Sequence, residues 1–591
     1  MPMYIETVPN RNSRPAYLLR DAKRVGGKVV KRTVANLSKL PDEAIAALRQ
    51  SLRGVSLCDA TKEFKVKSTV PCGHVKAIRQ AMDRLGMAEL VSSKPCRERD
   101  VVLALVAQRL IEPCSKLAMS LRFRLSTVAE DFGLPEDVDE NDVYAAMDWL
   151  AGRQKFIERK LAARHLDDGS MAFYDLSCSS YHGTHCELAK WGYNRDGLKL
   201  PAIEYGLLTD REGRPVSVQV YAGNTGDPKT VPDQAAKLKK DFGLSRVVIV
   251  GDRGMLTGTQ IDELREDGSF GWISCLRSED IRRLLESRDP SDAPLFTKEY
   301  IAEIVHPDFP GERLVACFNP FLKEDRARTR EELLAATERL LARLQASAAR
   351  RKSKPMSDGE LGEKIGRRIA RHRMAKHFRI EIKDGNFTFA RDEESVARER
   401  ALDGIYVIRT SEPADKLSAE DAVRAYKSLG NVEKSFRTFK GVDILVRPIR
   451  HRVADRVKAH VFLCMLTYYV EWHMRRALSS LMYAEDDLAA ARAGRDPVAK
   501  AVPTAEAKRK KATGLSKDGF PLNGWRGIIA TLATISRTTI EVGGASVVMD
   551  TEPTEHQARI FSLLAADTPV WNRRRSQQSE RASRPSERAN P

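Results

Sequence analysis

The chain has 591 residues and a formal net charge of +18, and its 42% hydrophobic and 30% charged residues exclude an intrinsically disordered protein. No apolar run approaches the roughly 20 residues of a membrane span, and the N-terminus lacks the apolar segment of a secretion signal, so we expect a cytoplasmic protein with no membrane partner. The excess of positive charge favours nucleic acid over a small neutral substrate.

The first 168 residues are predicted to form a small β-element followed by helices. Strand-like runs separated by turn signals occupy residues 1–40, and apolar residues at helical spacing continue from about 41 to 168. Residues 126–149 could form a helix-turn-helix with Gly133 in the turn, although any two short packed helices give the same pattern.

An α/β core is predicted from residue 169 onward. Strands alternate with turns and then with helices, and one strand is apolar throughout, as in a strand buried on both faces. The expected strands are 171–175, 203–210, 215–223, 246–252 and 271–276, with helices at about 229–241 and 256–267.

Residues 278–403 interrupt this core, which is expected to resume with a strand at 404–410. The interruption contains a long charged helix, a basic stretch and a hairpin, at about 324–351, 350–378 and 385–392. Two long helices then begin near Ser418 and residue 452. A hairpin is expected at 538–550, and an Arg-rich, disordered tail from residue 572.

Two predicted strands of the core end in aspartate, namely Asp175 and Asp252. Polar residues at the carboxyl ends of parallel neighbours meet in the cleft where α/β sheets bind ligands. Two carboxylates at one place repel each other unless a hard divalent cation lies between them. The alternative is that each aspartate only caps the turn that follows it.

The helix that begins at Ser418 carries a third acidic side chain, Glu433. Tyr426, Glu433 and Lys440 are spaced by seven residues, close to two helical turns, and are therefore expected on one stripe. Gly430 suggests a close approach of this helix to its neighbours. Taken alone, the pattern equally fits an exposed helix with a Glu433–Arg437 ion pair.

Together these motifs resemble the DDE transposases of bacterial insertion sequences. The resemblance covers residues 170–480 and is to the group whose RNase H-like core is split by an insertion before the glutamate, with the signature Y-x2-R-x3-E-x6-K. The matching segments are YDLS at 174–177, GYNRDGLKLP at 192–201, GLLTDREGRPV at 206–216, GNTGDPKT at 223–230, VGDRGM at 250–255 and Y-x6-E-x6-K at 426–440.

The resemblance implies a catalytic triad of Asp175, Asp252 and Glu433 that holds two Mg²⁺ ions, for which Mn²⁺ would substitute. It also implies that Tyr426 and Lys440 handle DNA near the cut. The arginine of the signature is replaced by Leu429, and the substitutes considered are Lys427, Lys434 and Arg437. Arg253 is either a phosphate clamp or a surface residue at a helix start.

The implied fold is α/β, with an RNase H-like mixed sheet flanked by helices, an α+β insertion and a mainly helical N-terminal domain. The expected divisions are a DNA-binding region at 1–168, core parts at 169–277 and 404–480, the insertion at 278–403, a C-terminal region at 481–571 and the tail at 572–591. Specific recognition of the element ends is expected to reside in residues 1–168.

The implied function is to bind the ends of an insertion sequence and to catalyse metal-dependent DNA strand cleavage and strand transfer. The partners would be double-stranded DNA, from the element ends and the target, and further copies of the chain in a dimer or higher assembly at the bacterial nucleoid. Two alternatives stay open, namely an RNase H-like nuclease or resolvase that cuts without joining and a catalytically inactive DNA-binding derivative.

Other chemistries have less support in the sequence. His182, His185 and Cys186 lie near Asp175 but lack a clear fourth ligand for a metal. The nine cysteines contain no C-x-x-C pair, and no phosphate-binding loop indicates a nucleotide cofactor.

Overall fold

The computed structural model describes residues 3–55, 64–287, 296, 300–351, 356–499, 501–542 and 545–571. The predicted disorder of the tail at 572–591 therefore lies outside the described residues. The chain divides into two compact units: one formed by Met1–Cys72 with Ile535–Glu552, the other by Gly73–Thr534 with Pro553–Pro591.

In its described residues, the first unit contains two small antiparallel sheets and one helix. Strands β1 (Tyr4–Val8), β2 (Ala16–Val25) and β3 (Lys28–Asn36) form one sheet, and helix α1 spans Asp42–Leu52. In the second sheet, β4 (Lys65–Pro71) pairs with the final hairpin, β15 (Ser536–Val542) and β16 (Ala545–Asp550). The predicted β-element and the predicted hairpin are both present as separate sheets, and the hydroxyls of Thr69 of β4 and Thr538 of β15, 469 positions apart in the sequence, lie 3.2 Å from each other.

An eight-stranded mixed sheet forms the centre of the second unit. Its strands are β5 (Met171–Ser180), β6 (Ala202–Thr209), β7 (Pro215–Ala222), β8 (Val247–Val250), β9 (Phe270–Cys275), β10 (Ile301–Ile304), β11 (Arg313–Phe318) and β14 (Ile405–Thr410). The order is β10-β11-β14-β9-β8-β5-β6-β7, and β8 is parallel to both β5 and β9 while the other neighbours are antiparallel. Three antiparallel strands followed by two parallel ones confirm the expected RNase H-like mixed sheet.

Helices flank this sheet, as expected. Those before it are α2 (Gly73–Arg84), α3 (Met87–Val91), α4 (Arg97–Ile111), α5 (Lys116–Arg122), α6 (Val128–Asp131) and α7 (Glu140–His165), and those that connect its strands are α8 (Val231–Ala236), α9 (Gly258–Asp267) and α10 (Ser278–Glu286). Those after it are α14 (Ala419–Lys427), α15 (Leu429–Lys440), α16 (Ala454–Ala477), α17 (Leu488–Ala493), α18 (Ala505–Thr513), α19 (Trp525–Ala533) and α20 (Glu555–Asp567).

Helix α16 lies at the centre of the hydrophobic core. Every side chain from Val461 to Val470 is buried, because α4, α7 and β7 all pack against it. The long helix predicted to begin near residue 452 is therefore present, and its apolar segment lies in the core. In the described part of the chain, no helix is long and apolar enough to cross a membrane.

The predicted α+β insertion has two parts. Strands β10 and β11 extend the central sheet next to β14. The remainder consists of α11 (Pro320–Ala349), α12 (Asp358–Ala370), β12 (Phe378–Lys383), β13 (Asn386–Arg391) and α13 (Glu393–Arg400), with a hydrophobic core of its own around Leu341, Ile365 and Phe387.

The helix-turn-helix considered for residues 126–149 is wrong, because its first helix has only four residues. The Thr127 hydroxyl donates to Asp131 Oδ2 at 2.6 Å across the single turn of α6, and Gly133 follows in the left-handed conformation with φ of 64°. The motif joins its two helices by a turn of about three or four residues, whereas residues 132–139 separate α6 from α7.

Candidate active site

The register of two parallel strands places Asp175 beside Asp252. Strand β5 pairs with β8 with Met171 opposite Val248 and Phe173 opposite Val250. Asp175 lies two residues beyond Phe173, and Asp252 lies two residues beyond Val250. Because neighbouring strands lie about 4.8 Å apart and residues two apart share a face, both aspartates continue from the same edge of the sheet on the same side.

Asp175 does not end its strand, contrary to the sequence prediction. Strand β5 continues for five more residues to Ser180, because Asp175 and the residues after it pair with β6, with Asp175 opposite Leu207. Only the parallel pairing with β8 stops near the aspartate. The carboxylate is half-buried, and its Oδ1 accepts a hydrogen bond from the N–H of Leu176 at 2.8 Å.

Asp252 follows β8 directly and shapes the turn into α9. Its Oδ1 accepts hydrogen bonds from the backbone N–H groups of Gly254 at 3.0 Å and Met255 at 2.8 Å. The capping role considered from the sequence is therefore real. It occupies one carboxylate oxygen only, and the side chain is exposed.

Helix α15 carries Glu433 to the same face of the sheet. Val432, Phe436 and Phe439 are buried beneath it, and the rings of Phe436 and Tyr205 of β6 lie 5.8 Å apart. Tyr205 and Asp175 lie on one face of the sheet, since Tyr205 pairs with Ser177 and alternate residues of β5 share a face. Glu433 is exposed at the edge of this packed surface.

The predicted single helix is two helices, which meet at Ser428. Helix α14 ends at Lys427 and α15 begins at Leu429, although Ser428 between them keeps helical backbone angles, with φ of −69° and ψ of −13°. The Ser428 hydroxyl donates to the carbonyl of Arg424 at 2.8 Å. Glu433 and Lys440 share α15 while Tyr426 lies on α14, so the expectation of one continuous helix for all three residues is wrong.

The close approach expected at Gly430 is found at Gly213 instead. A Cβ built on Gly430 would meet no atom within 4 Å, whereas one on Gly213 would lie 2.9 Å from Asn431 Cβ. Gly213 also has φ of 88°, and Asn431 Nδ2 donates to the carbonyl of Arg211 at 3.1 Å. The turn between β6 and β7 thus holds the start of α15 in place.

The electrostatics of Asp175 bring the three carboxylates into one site. Burial and then the negative charge of Asp252 raise the pKa of Asp175 from 3.8 to about 7. The charge of Glu433 contributes to this rise, while the hydrogen bond from Leu176 and the charge of Arg195 oppose it. The negative charges of Asp252 and Glu433 are therefore close enough to Asp175 to disfavour its ionised form. We take this mutual repulsion as support for a shared acidic site.

Asp175→Asn is expected to stabilise the fold at high pH. The folded chain keeps a proton on Asp175 up to about pH 7, whereas the unfolded chain releases it near 3.8, so folding stability falls as pH rises between these values. The amide has no such penalty. We expect the melting temperature of the variant to exceed that of the wild type at pH 8 without divalent cations, and to match it near pH 4; an equal difference at both pH values would contradict the shift.

The donor set of this site fits a hard divalent cation. All three side chains supply oxygen ligands, and a cation would relieve the repulsion that raises the pKa of Asp175. As the side chains stand, within the described ranges, no group of three or more His, Cys, Asp or Glu residues is close enough to hold a metal ion. Asp252 Oδ1 accepts hydrogen bonds from the backbone of its own turn in this arrangement.

Lys440 is held beside the site by an aspartate that the sequence analysis missed. Lys440 Nζ lies 3.4 Å and Arg447 Nη1 2.6 Å from Asp196 Oδ1, and the N–H of Ser180 donates to Asp196 Oδ2 at 3.0 Å. Burial alone would raise the pKa of Asp196, but these partners outweigh it and lower the pKa. Asp196 lies within the GYNRDGLKLP motif, and membership of this motif was the feature of the sequence that could have pointed to it.

Arg195, the preceding residue, was also missed. Its guanidinium donates to the carbonyl of Leu176, one residue after Asp175, and lies 2.8 Å from Asp227 Oδ2. It is the cation that opposes the upward shift of the Asp175 pKa. Arg195 therefore fixes the loop after β5 against the strand that carries the first aspartate.

The other predicted DNA-binding residues lie around α14 and α15. Arg253 is exposed directly after Asp252. The pKa of Tyr426 is raised by burial and then by Cys275 and Asp252, and the positive charge of Arg253 opposes this rise. Leu429 packs against the hydrophobic core, so it supplies no phosphate contact. Lys427 Nζ donates to the carbonyl of Val498 at 3.0 Å.

Lys434 and Arg437 face solvent on α15. In the described part of the chain no carboxylate pairs with either of them, so the Glu433–Arg437 pair considered from the sequence is absent. Lys434 is more than a third exposed, yet desolvation and then the charges of Arg492 and Arg437 lower its pKa. Positively charged side chains that lie close together with no carboxylate paired to them favour the binding of a polyanion on this side of the helix.

Comparison with known families agrees with this geometry. The family described as transposase DDE domain matches residues 172–470, which include all three carboxylates and span half of the chain. The chain belongs to the DDE transposase family. A second family, the N-terminal domain of IS1634 family transposases, matches residues 5–61. No curated protein matches the chain.

Family membership establishes that this insertion-sequence transposase is an enzyme that acts on DNA. Transposases of the DDE family generally use divalent metal ions. The match covers the central sheet from β5 through most of α16, so the family's domain includes the edge at which Asp175 and Asp252 lie.

Proposed function

We propose that this transposase binds the ends of its insertion sequence, cuts the DNA there and joins the freed strand to target DNA, with Asp175, Asp252 and Glu433 as the catalytic triad. The observation that carries the proposal is the parallel register of β5 and β8, which brings Asp175 beside Asp252, and it is supported by the charges of Asp252 and Glu433, which both raise the pKa of Asp175. Three acidic side chains that are distant in the sequence would thus share one site at the edge of the mixed sheet.

Each carboxylate is positioned by a different part of the fold. Asp175 and Asp252 continue in register from two parallel strands, and Glu433 is presented by the apolar packing of α15 on β5 and β6. The oxygen donors of these residues would hold two Mg²⁺ ions, or Mn²⁺ in their place. When bound, such ions would activate the attacking oxygen and neutralise charge on the phosphate.

The cations around the triad would position the DNA. Arg253 is exposed beside Asp252, and Lys440 is fixed at the end of the helix that carries Glu433. Their charges would hold phosphates on either side of the reacting one, a role that gives affinity and register without sequence information. Arg437 and Lys434 are the candidates to replace the missing arginine of the signature, because they are exposed on α15 whereas Leu429 is packed against the core.

A strand-transfer assay tests this function. A labelled duplex with the terminal inverted repeat that flanks the gene is incubated with the transposase, Mg²⁺ and a target plasmid. We expect release of a 3′-hydroxyl at the end of the element, followed by a joined product. Cleavage without joining would favour the nuclease or resolvase, and binding without cleavage would favour the inactive derivative.

The assembly state is tested with the same duplex. Two element ends must be brought together for one insertion, so we propose a dimer or higher assembly on DNA. Light scattering of the complex with the end duplex is expected to give at least two chains per complex, and a 1:1 complex that still transfers strands would contradict this.

A further inference from the structure

A basic cavity of about 620 Å³ lies beside the segment that joins α15 to α16. It is bounded by the starts of α5 and α7, by residues 445–453 and by the first turns of α16. Its volume is within the range of sites that bind small molecules or parts of larger ligands. The cavity is lined by one carboxylate, Glu140, and by six cations, which are Arg109, Lys116, Arg447, Arg450, Arg452 and Arg456.

Lys116 is a buried cation with unused hydrogen-bonding capacity. Its side chain belongs to a residue only 4% exposed, and its Nζ lies 3.2 Å from Nδ1 of His460. Because His460 Nε2 is placed 2.8 Å from the carbonyl of Val446, to which it donates, Nδ1 accepts from the lysine. An ammonium group has three donors, and within the described residues His460 is the one partner found for Lys116.

Arg109 is buried next to Lys116 and is likewise without a counter-ion. It is 1% exposed, and its Nη1 donates to the carbonyls of Ile444 at 2.7 Å and Leu445 at 3.2 Å. Its buried Nε has no hydrogen-bond partner, and across the described ranges no carboxylate pairs with Arg109 or Lys116. Two buried cations without an anion are costly for folding, and an anionic ligand in the cavity would offset that cost.

The pKa of Lys116 shows the effect of burial next to a second cation. Burial, and then the charge of Arg109, lower the pKa of Lys116 well below its usual value. A phosphate placed opposite the two groups would reverse that effect, because an adjacent negative charge favours the ammonium form.

The cavity is connected to the DNA-handling side of the candidate active site. Arg447, which lines it, shares Asp196 with Lys440, the last residue of the helix that carries Glu433. Arg450 and Arg452 are exposed, and no carboxylate among the described residues pairs with them. A polyanion that passes the triad would thus meet further cations that lead into this cavity.

We propose that this cavity is a phosphate-binding pocket that holds a backbone phosphate of the element-end DNA away from the one being cut, with Lys116 and Arg109 as its buried donors. This inference rests on the proposed function for the identity of the polyanion. The chemistry that the pocket recognises, a phosphate with several oxygen acceptors, is also offered by free inorganic phosphate, and the experiment separates the two sources.

Lys116→Met tests the pocket by removing the charge while keeping an unbranched side chain of similar length. Binding of the end duplex is measured at several salt concentrations. We expect affinity to fall about tenfold and the slope of log affinity against log salt to decrease by about one, because one phosphate contact is lost. A set of duplexes is also prepared in which a different single phosphate is replaced by an uncharged methylphosphonate. We expect that the replacement at one position lowers the affinity of the wild type for the duplex but leaves the affinity of Lys116→Met unchanged.

Two further variants keep the test independent of folding. Arg452→Gln changes an exposed cation of the same cavity and is expected to weaken binding several-fold. Lys458→Met is the matched control, because Lys458 lies on α16 outside the cavity and pairs with Asp455 at 3.0 Å. We expect it to bind DNA like the wild type.

The outcomes separate the pocket from the proposed function. If both Lys116→Met and Arg452→Gln bind the end duplex with the affinity and the salt dependence of the wild type, the proposed phosphate-binding role of the cavity is overturned. Thermal stabilisation of the wild type by inorganic phosphate, lost in Lys116→Met while both bind DNA equally, would assign the pocket to a free anion and overturn its role in DNA binding. A wild type that binds DNA through Lys116 but never cleaves it would overturn the proposed function and leave the pocket standing.

Discussion

Asp252→Asn is expected to lose cleavage of the element end by at least about 1,000-fold, because the site would lose a charge needed to hold hard divalent cations. Asp175→Asn and Glu433→Gln are expected to show the same loss. The amides keep the size of the side chains, so the packing of β5, β8 and α15 should be unchanged. The measurement is the initial rate of strand cleavage of a labelled end duplex in Mg²⁺.

Binding of the end duplex is expected to remain at wild-type strength or to become tighter in these variants, since each removes one negative charge beside the DNA. Glu420→Gln and Asp262→Asn are matched controls, because both residues are exposed on helices next to the site but outside the three carboxylates. Near-normal cleavage by any one of the three triad variants would remove that residue from the catalytic set.

The second large effect is expected for stability, in Lys510→Met. Lys510 is 1% exposed, and its Nζ donates to the carbonyls of Ser479 at 2.8 Å, Met482 at 3.3 Å and Ala484 at 3.1 Å and pairs with Asp486. Removal of the ammonium leaves these acceptors without their donor. We expect the free energy of unfolding to fall by about 3 kcal/mol, measured from the urea midpoint by circular dichroism.

Lys511→Met is the control for this prediction. It makes the same change on the next residue of α18, which is exposed, and should alter the free energy of unfolding by less than about 0.5 kcal/mol. Equal midpoints for the two variants would mean that the Lys510 network contributes nothing to stability.

Local pattern was sufficient where neighbouring residues decide the structure. Alternating apolar residues and turn signals predicted strands at 203–210 and 215–223, and the observed β6 and β7 match these to within one residue. The continuous apolar run before Asp252 predicted a strand buried on both faces, and β8 is buried throughout. The three acidic motifs could be found in the same way, because their order along the chain is itself the signal.

Contacts between distant segments could not be read from these patterns. Asp175 was expected to end its strand, but pairing with β6 carries β5 to Ser180, and a partner strand leaves no mark on the sequence of β5 itself. The pairing of β4 with β15 joins residues 469 positions apart, which no local periodicity can indicate. The division of the predicted single helix at Ser428 likewise had no signal in the apolar spacing, because Ser428 itself keeps helical backbone angles.

The sequence by itself determined the class of fold and the family, and it singled out the three acidic residues proposed for the site, because periodicity and motif order are properties of the linear chain. Only the tertiary structure decided how charged side chains are used: Lys510 as a buried donor, Asp196 as the anchor of Lys440, and Lys116 with Arg109 as cations without a counter-ion. A lysine in a sequence has one charge wherever it lies, and burial and partners, which depend on the folded chain, determine what that charge does.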